Sequence, residues 1–255
     1  MEQQNPKNNK SIKLNVKEIF HDVWHYIVQN PRFITLLFAT NMAFMLLFKA
    51  IPGGITNPLS IIWFIAYYIY WCFFYRYYYG LRPYIFSRAL FASLNPSGKA
   101  LLMIFLMGVF VAFLPMLPLL FGFNEVYLDI YERYLKSYDG ISTANEIRAS
   151  LGDALIIYSV AVLLLPPLIC KPYLAWISSL RGINSSIAKV RQKTQGNYWQ
   201  FVIVSAFLLY PDAFGTYFDQ LLNCQGWIEY TTNTVVFVIT NIIFAKIYDF
   251  FYIKN

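Results

Sequence analysis

Residues 181–210 read RGINSSIAKVRQKTQGNYWQFVIVSAFLLY, and the change of character halfway along decides the fold. The first half is basic and amphipathic. Ile183, Ile187 and Val190 recur at helical spacing, while Arg181, Lys189, Arg191 and Lys193 present cations that anionic headgroups attract. Gly196 and Asn197 break the helix. Tyr198 and Trp199 follow, ring types that settle where water meets hydrocarbon, and the run beyond them is almost wholly apolar. The pattern predicts a helix lying on a membrane, a bend, and a helix entering it.

Composition carries this outward to the whole chain. Of its 255 residues, 58% are hydrophobic, 20% aromatic and only 13% charged, whereas soluble domains carry roughly a quarter charged residues. Several windows reach the roughly 20 apolar residues that cross a hydrocarbon core about 30 Å thick. No alternating strand pattern is present, so backbone groups in lipid must be satisfied within helices. The expected fold is all-α: a polytopic transmembrane helical bundle of six spans with amphipathic interfacial helices. A single membrane domain over 12–255 follows a disordered tail at 1–11, with spans at about 33–51, 59–79, 100–121, 154–179, 197–222 and 230–253.

Punctuation along the chain sets these limits. Val16, Ile19, Phe20, Val23, Trp24, Ile27 and Val28 recur at helical spacing opposite Lys13, Lys17, Glu18, His21, Asp22, His25 and Gln29, an interfacial helix that ends at Asn30-Pro31. A shorter surface helix at 84–94 carries Arg88. Pro115 and Pro118 bend the third span, a tyrosine-rich helix lies over the outer surface within 122–152, and Pro166-Pro167 interrupt the fourth span. The fifth span turns polar early, at Pro211 and Asp212, so residues 213–229 read as an acidic outer loop. Near the end of the sixth, Lys246 and Asp249 are spaced to pair. The breaks Gln29-Asn30-Pro31, Leu94-Asn95-Pro96 and Gln195-Gly196-Asn197 suggest a threefold repeat of surface helix plus two spans.

Charge sets sidedness. With residues 1–32 inside, sixteen of the twenty Lys and Arg residues fall on that side, which places both termini in the cytoplasm. Because these cations flank apolar spans, the net charge of +7 is a topology signal and implies no nucleic-acid partner. Cys72, Cys170 and Cys224 have no metal or redox spacing, and residues 1–11 lack the apolar core of a removable signal peptide.

Candidate chemistry is sparse. Glu18, His21, Asp22 and His25 share one helical face, a spacing that can assemble a metal site, although an amphipathic surface helix needs a polar side regardless. Asp212 follows only 15 residues of span, 197–211, roughly 22 Å of helix, so it reads either as a wet carboxylate at a thin or tilted stretch of bilayer or as an intramembrane one with Lys49 at the same level, an ion pair or part of a pathway. The motifs of zinc proteases, serine hydrolases and P-loop enzymes are missing, so no catalytic or cofactor-binding residue is expected.

Thr194-Gln195-Gly196-Asn197-Tyr198-Trp199, closing the 185–199 segment, resembles the recurring pattern of YciC-like bacterial membrane proteins. The membrane domain attached to some glycerophosphodiester phosphodiesterases is similar, and residues 18–32 look like the opening helix of these families. The resemblance implies a multi-span protein of the bacterial inner membrane. It carries over no phosphodiesterase activity and no catalytic residue, and the tyrosine-rich 124–138 segment departs from the pattern. The functional expectation is a non-enzymatic protein acting through membrane lipids or a larger membrane complex. Lys13, Lys17, Arg88, Arg181, Lys189, Arg191 and Lys193 would touch headgroups on the cytoplasmic side. Alternatives are a small-molecule or lipid transporter using Asp212, and behind it a membrane-embedded lipid enzyme.

Overall fold

The computed structural model describes residues 12–52, 59–81, 155–156, 158–163, 169–181, 183, 186–224 and 226–254, and every regular element among them is helical. The first helix, α1 (Val16–Gln29), begins where the Asn15 side chain accepts the Glu18 N–H at 3.3 Å. It stops at Asn30, whose Nδ2 donates to the Tyr26 carbonyl at 2.9 Å. Pro31 then opens α2 (Pro31–Lys49), at a position where its missing N–H has no partner to lose. The series continues with α3 (Leu59–Tyr78), α4 (Lys171–Leu180), α5 (Ile187–Lys193), α6 (Tyr198–Leu222) and α7 (Trp227–Tyr252). Residues 155, 156 and 158–163 are also helical.

The described helices α2, α6 and α7, of 19, 25 and 26 residues, are long and apolar enough to cross a membrane. At about 1.5 Å per residue they reach roughly 28, 37 and 39 Å, against about 30 Å of hydrocarbon. They coincide with the spans expected at 33–51, 197–222 and 230–253, and α3, of 20 residues, coincides with that at 59–79. The tail at 1–11, the 84–94 surface helix with Arg88, the span at 100–121 with Pro115 and Pro118, the 122–152 segment and Pro166-Pro167 lie outside the described residues. Of the fourth span, expected at 154–179, residues 155–156, 158–163 and 169–179 are described and helical, so the middle copy of the repeat is described only in part.

Two local readings change. Residues 213–222 are not loop, because α6 runs on through Pro211 to Leu222. Proline there removes one N–H and leaves the Phe207 carbonyl without its helical donor, a local loss that helix neighbours inside a membrane accommodate. The connection to α7 is accordingly short, and Asp219 organises it: its carboxylate accepts the N–H of Gly226 at 2.6 Å and of Ile228 at 2.8 Å. Near the other end of α7, Asp249 does not pair with Lys246. Asp249 accepts the Tyr78 hydroxyl at 3.0 Å, while Lys246 lies over the rings of Tyr26 and Tyr78, at 5.1 and 5.4 Å.

The core sits around the second half of α7. Ile242, Ile243, Ala245, Ile247 and Tyr248 are wholly buried against Tyr75 of α3 and Leu174, Ala175 and Ile177 of α4. Polar groups inside this core are tied together. Tyr75 donates to the Asn241 side chain at 3.0 Å and Tyr67 to Asn41 at 2.6 Å, while Thr40 donates to the Tyr70 hydroxyl at 2.9 Å. On α6, by contrast, Ile203, Phe207, Phe214, Phe218 and Leu221 recur at helical spacing and are exposed, the apolar stripe that a lipid-facing helix carries. Where α6 meets α7 the backbones come close: a Cβ on Gly215 would stand 2.8 Å from the Cβ of Thr232.

Candidate functional site

The break after α5 is the most constrained point of this end of the bundle. Thr194, buried, donates its hydroxyl to the Val190 carbonyl, and Gly196 takes a φ of 81°, which turns the chain into α6. Asn197 is wholly buried and stands at the N-cap of α6, but its side chain makes no capping bond to that helix. Its side chain instead grips backbone more than 180 positions away: Oδ1 accepts the Leu14 N–H at 2.6 Å, and Nδ2 donates to the Ile12 carbonyl at 2.7 Å. One amide thus fixes the approach to α1 against the base of α6.

Other cations and aromatic rings complete the same end. Lys193 donates to the Phe251 carbonyl at 3.1 Å and lies 4.5 Å from the Tyr252 ring centroid. Arg181 is stacked over Tyr79 at 4.6 Å and Tyr248 at 5.4 Å, and Arg76 donates to the Leu180 carbonyl. Lys254 bridges to Asp22 at 2.9 Å and to Glu18 at 3.8 Å. The hydrogen bond that Lys254 donates to Asp22 holds its ammonium above its ordinary range, and burial pushes the Tyr26 hydroxyl of α1 up to about 12.

The expected headgroup cations therefore divide. Lys13, Lys17, Lys189 and Arg191 are exposed, Arg181 and Lys193 spend their charge on rings and a carbonyl, and Arg88 lies outside the described residues. The apolar stripe of the surface helix divides too: Val190 is buried and Ile187 packs on the core, but Ile183, lying before the Ser186 cap, is 46% exposed.

A cavity of about 430 Å³ opens beside the break, with Lys171 and Arg191 among its walls. Gln192, Thr194, Gln195 and Tyr198 line it as well, and among the described residues no carboxylate does.

The other candidates resolve differently. On α1 the rings of His21 and His25 meet edge to face with Nε2 atoms 3.2 Å apart, and Glu18 and Asp22 turn to Lys254. Among the described residues no three His, Cys, Asp or Glu side chains gather as a metal set. At the far end Asp212 accepts the Tyr158 hydroxyl at 2.7 Å, and Lys49 sits 4.7 Å from the Tyr230 ring centroid. Glu229 lies within the fields of Asp212, Asp219 and Lys49, so the acidic groups do share that end.

No family model, curated protein or solved structure matches this chain. Its candidate site rests on geometry alone. Sequence reasoning passed over Lys171 and the clamp role of Asn197; the polar residue inside the break was the available signal for Asn197, and for Lys171 the signal was a lone cation beside a proline, Pro172.

Proposed function

We propose that this chain is a non-enzymatic, multi-span protein of the bacterial inner membrane, of the YciC-like kind, which acts through anionic lipids gathered at its cationic end. In this arrangement both termini are cytoplasmic, and six spans form three units of surface helix and paired spans. One observation carries the reading: Asn197, Lys193 and Lys254 draw α1, α5 and the ends of α6 and α7 together, so the exposed Lys13, Lys17, Lys189 and Arg191 crowd one end of the bundle. Each such cation near an anionic leaflet contributes about 1 kcal/mol of attraction. Trp24 and Trp199, both 65% exposed, stand on this end as interfacial anchors. The test is lipid analysis of the full chain purified from membranes. Neutralising Lys13, Lys17 and Lys189 together should strip the enrichment of phosphatidylglycerol over neutral lipid; equal enrichment before and after would reject the reading.

A second reading, transport, has its own support. Polar groups run through the bundle from Asn41–Tyr67 to Tyr75–Asn241, and the buried Nδ2 of Asn41 has no hydrogen-bond partner among the described residues. Intramembrane polar groups of this kind mark pathways. Ion or solute flux in proteoliposomes that Asp212→Asn or Asn41→Leu abolishes would favour transport over a purely lipid-bound role.

A further inference from the structure

We infer that the cavity beside the α5–α6 break is a binding site for one phosphate-bearing anion, held by Lys171 and Arg191. The inference deepens the lipid reading, on which it rests, by giving one anion a defined place. Lys171 and Arg191 come from different helices and stand in the wall of the same cavity, where the Arg191 charge reaches Lys171. Two like charges brought together without compensation repel, and an anion between them reverses the sign of the interaction.

The neighbouring cations make the contrast. Lys254 has its carboxylates, and Arg181, Lys193 and Lys246 have aromatic rings. Among the described residues Lys171 and Arg191 have neither an ion pair nor a ring, and no carboxylate lines the cavity they share. Its remaining polar wall is neutral. Gln192 and Gln195 supply hydrogen-bond donors of the kind that complete a phosphate shell, while the Tyr198 hydroxyl is spent on the Leu163 carbonyl and Ala188 and Phe201 leave an apolar margin. At about 430 Å³ the space falls within the roughly 300–1,000 Å³ of small-molecule sites and holds more than a bare ion. A second crevice on α6, about 240 Å³ between Phe207, Pro211, Thr232 and Val236, has no cation among its described lining residues and no such capacity.

A phosphate group reaches this cavity either on a lipid headgroup or free in the cytoplasm, and the experiment separates the two. Full-length protein in phosphatidylcholine nanodiscs is titrated with phosphatidylglycerol, and in detergent with glycerol 3-phosphate, each followed by native mass spectrometry and thermal midpoint. The variants are Lys171→Gln/Arg191→Gln, the groove-filling Ala188→Trp, and Arg32→Gln as a control that removes one exposed cation outside the cavity. The double variant should weaken binding about thirty-fold, roughly five-fold per cation, and Ala188→Trp should do so with the charge intact, while Arg32→Gln changes it less than two-fold. Loss confined to phosphatidylglycerol identifies a headgroup site; loss confined to glycerol 3-phosphate identifies a soluble anion. If the double variant binds both probes no worse than Arg32→Gln, the cavity is not the site, although enrichment of phosphatidylglycerol by wild type would leave the broader lipid reading standing. Absence of binding by folded wild type overturns both.

Discussion

Asn197 holds the site together through two hydrogen bonds to main chain, and its worth lies in what its loss would strand. Asn197→Ala leaves the buried Leu14 N–H without a partner, at about 1–3 kcal/mol, while the carbonyl of the exposed Ile12 regains water at little cost. The expected result is a lowered thermal midpoint in detergent together with faster tryptic cleavage after Lys13 and Lys17; unchanged cleavage would mean that the amide does not anchor this segment. Lys254 carries a smaller load of a different kind. Its pKa is raised by Asp22, so its contribution is complete below the ordinary lysine range and disappears as pH climbs through the raised value. Half-exposed, the latch contributes no more than about 1 kcal/mol. Hydrogen exchange in α1 should accelerate above that pH in wild type but not in Lys254→Arg, whose guanidinium stays charged. Identical profiles for the two proteins would remove the latch from the account.

At the scale of elements, the α6–α7 pair shows what pattern reveals and what it hides. The 3.6-residue period made α1 legible, with Ile19 and Val23 buried as the spacing implies, and the Gly196-Asn197 break was legible from composition. Pro211 and Asp212 misled, because a proline and a carboxylate announce a helix end only when nothing satisfies them, and Tyr158 donates to Asp212 from a segment 54 positions away. Lys246 and Asp249 misled for a related reason. Spacing allows a pair, but Tyr78 competes for the carboxylate and two rings compete for the ammonium. Sequence spacing encodes what a helix offers, whereas partners from distant elements decide what it receives. Gly215 belongs with this group: only its approach to Thr232 explains a glycine inside α6. Gly215→Ala should destabilise the pair by about 1–3 kcal/mol through overpacking. Thr232→Ala should recover only a minor part, because it removes Oγ1 and Cγ2 at 2.9 and 3.0 Å but keeps the Cβ at 2.8 Å, whereas Thr232→Gly should recover more of the loss. Full rescue by Thr232→Ala, read as thermal midpoints, would place the clash elsewhere.

For the whole molecule the sidedness of charge is the argument that joins fold to function. Bundle contacts collect Lys13, Arg76, Arg181, Lys193, Lys246 and Lys254 at one end, while Asp212, Asp219 and Glu229 keep company with Lys49 at the other. Loops rich in Lys and Arg are retained in the cytoplasm, so the proposed topology requires the short connection between α6 and α7 to face outward. Cys224 lies in that connection and is partly accessible, whereas Cys170 is buried in the core. A membrane-impermeant maleimide added to intact cells should therefore label Cys224 in wild type. In a Cys224→Ser background the Lys189→Cys variant should stay unlabelled until the membrane is permeabilised. The reverse pattern would turn the bundle over, carry its exposed lysines away from the anionic leaflet, and remove the electrostatic basis for lipid binding at this end.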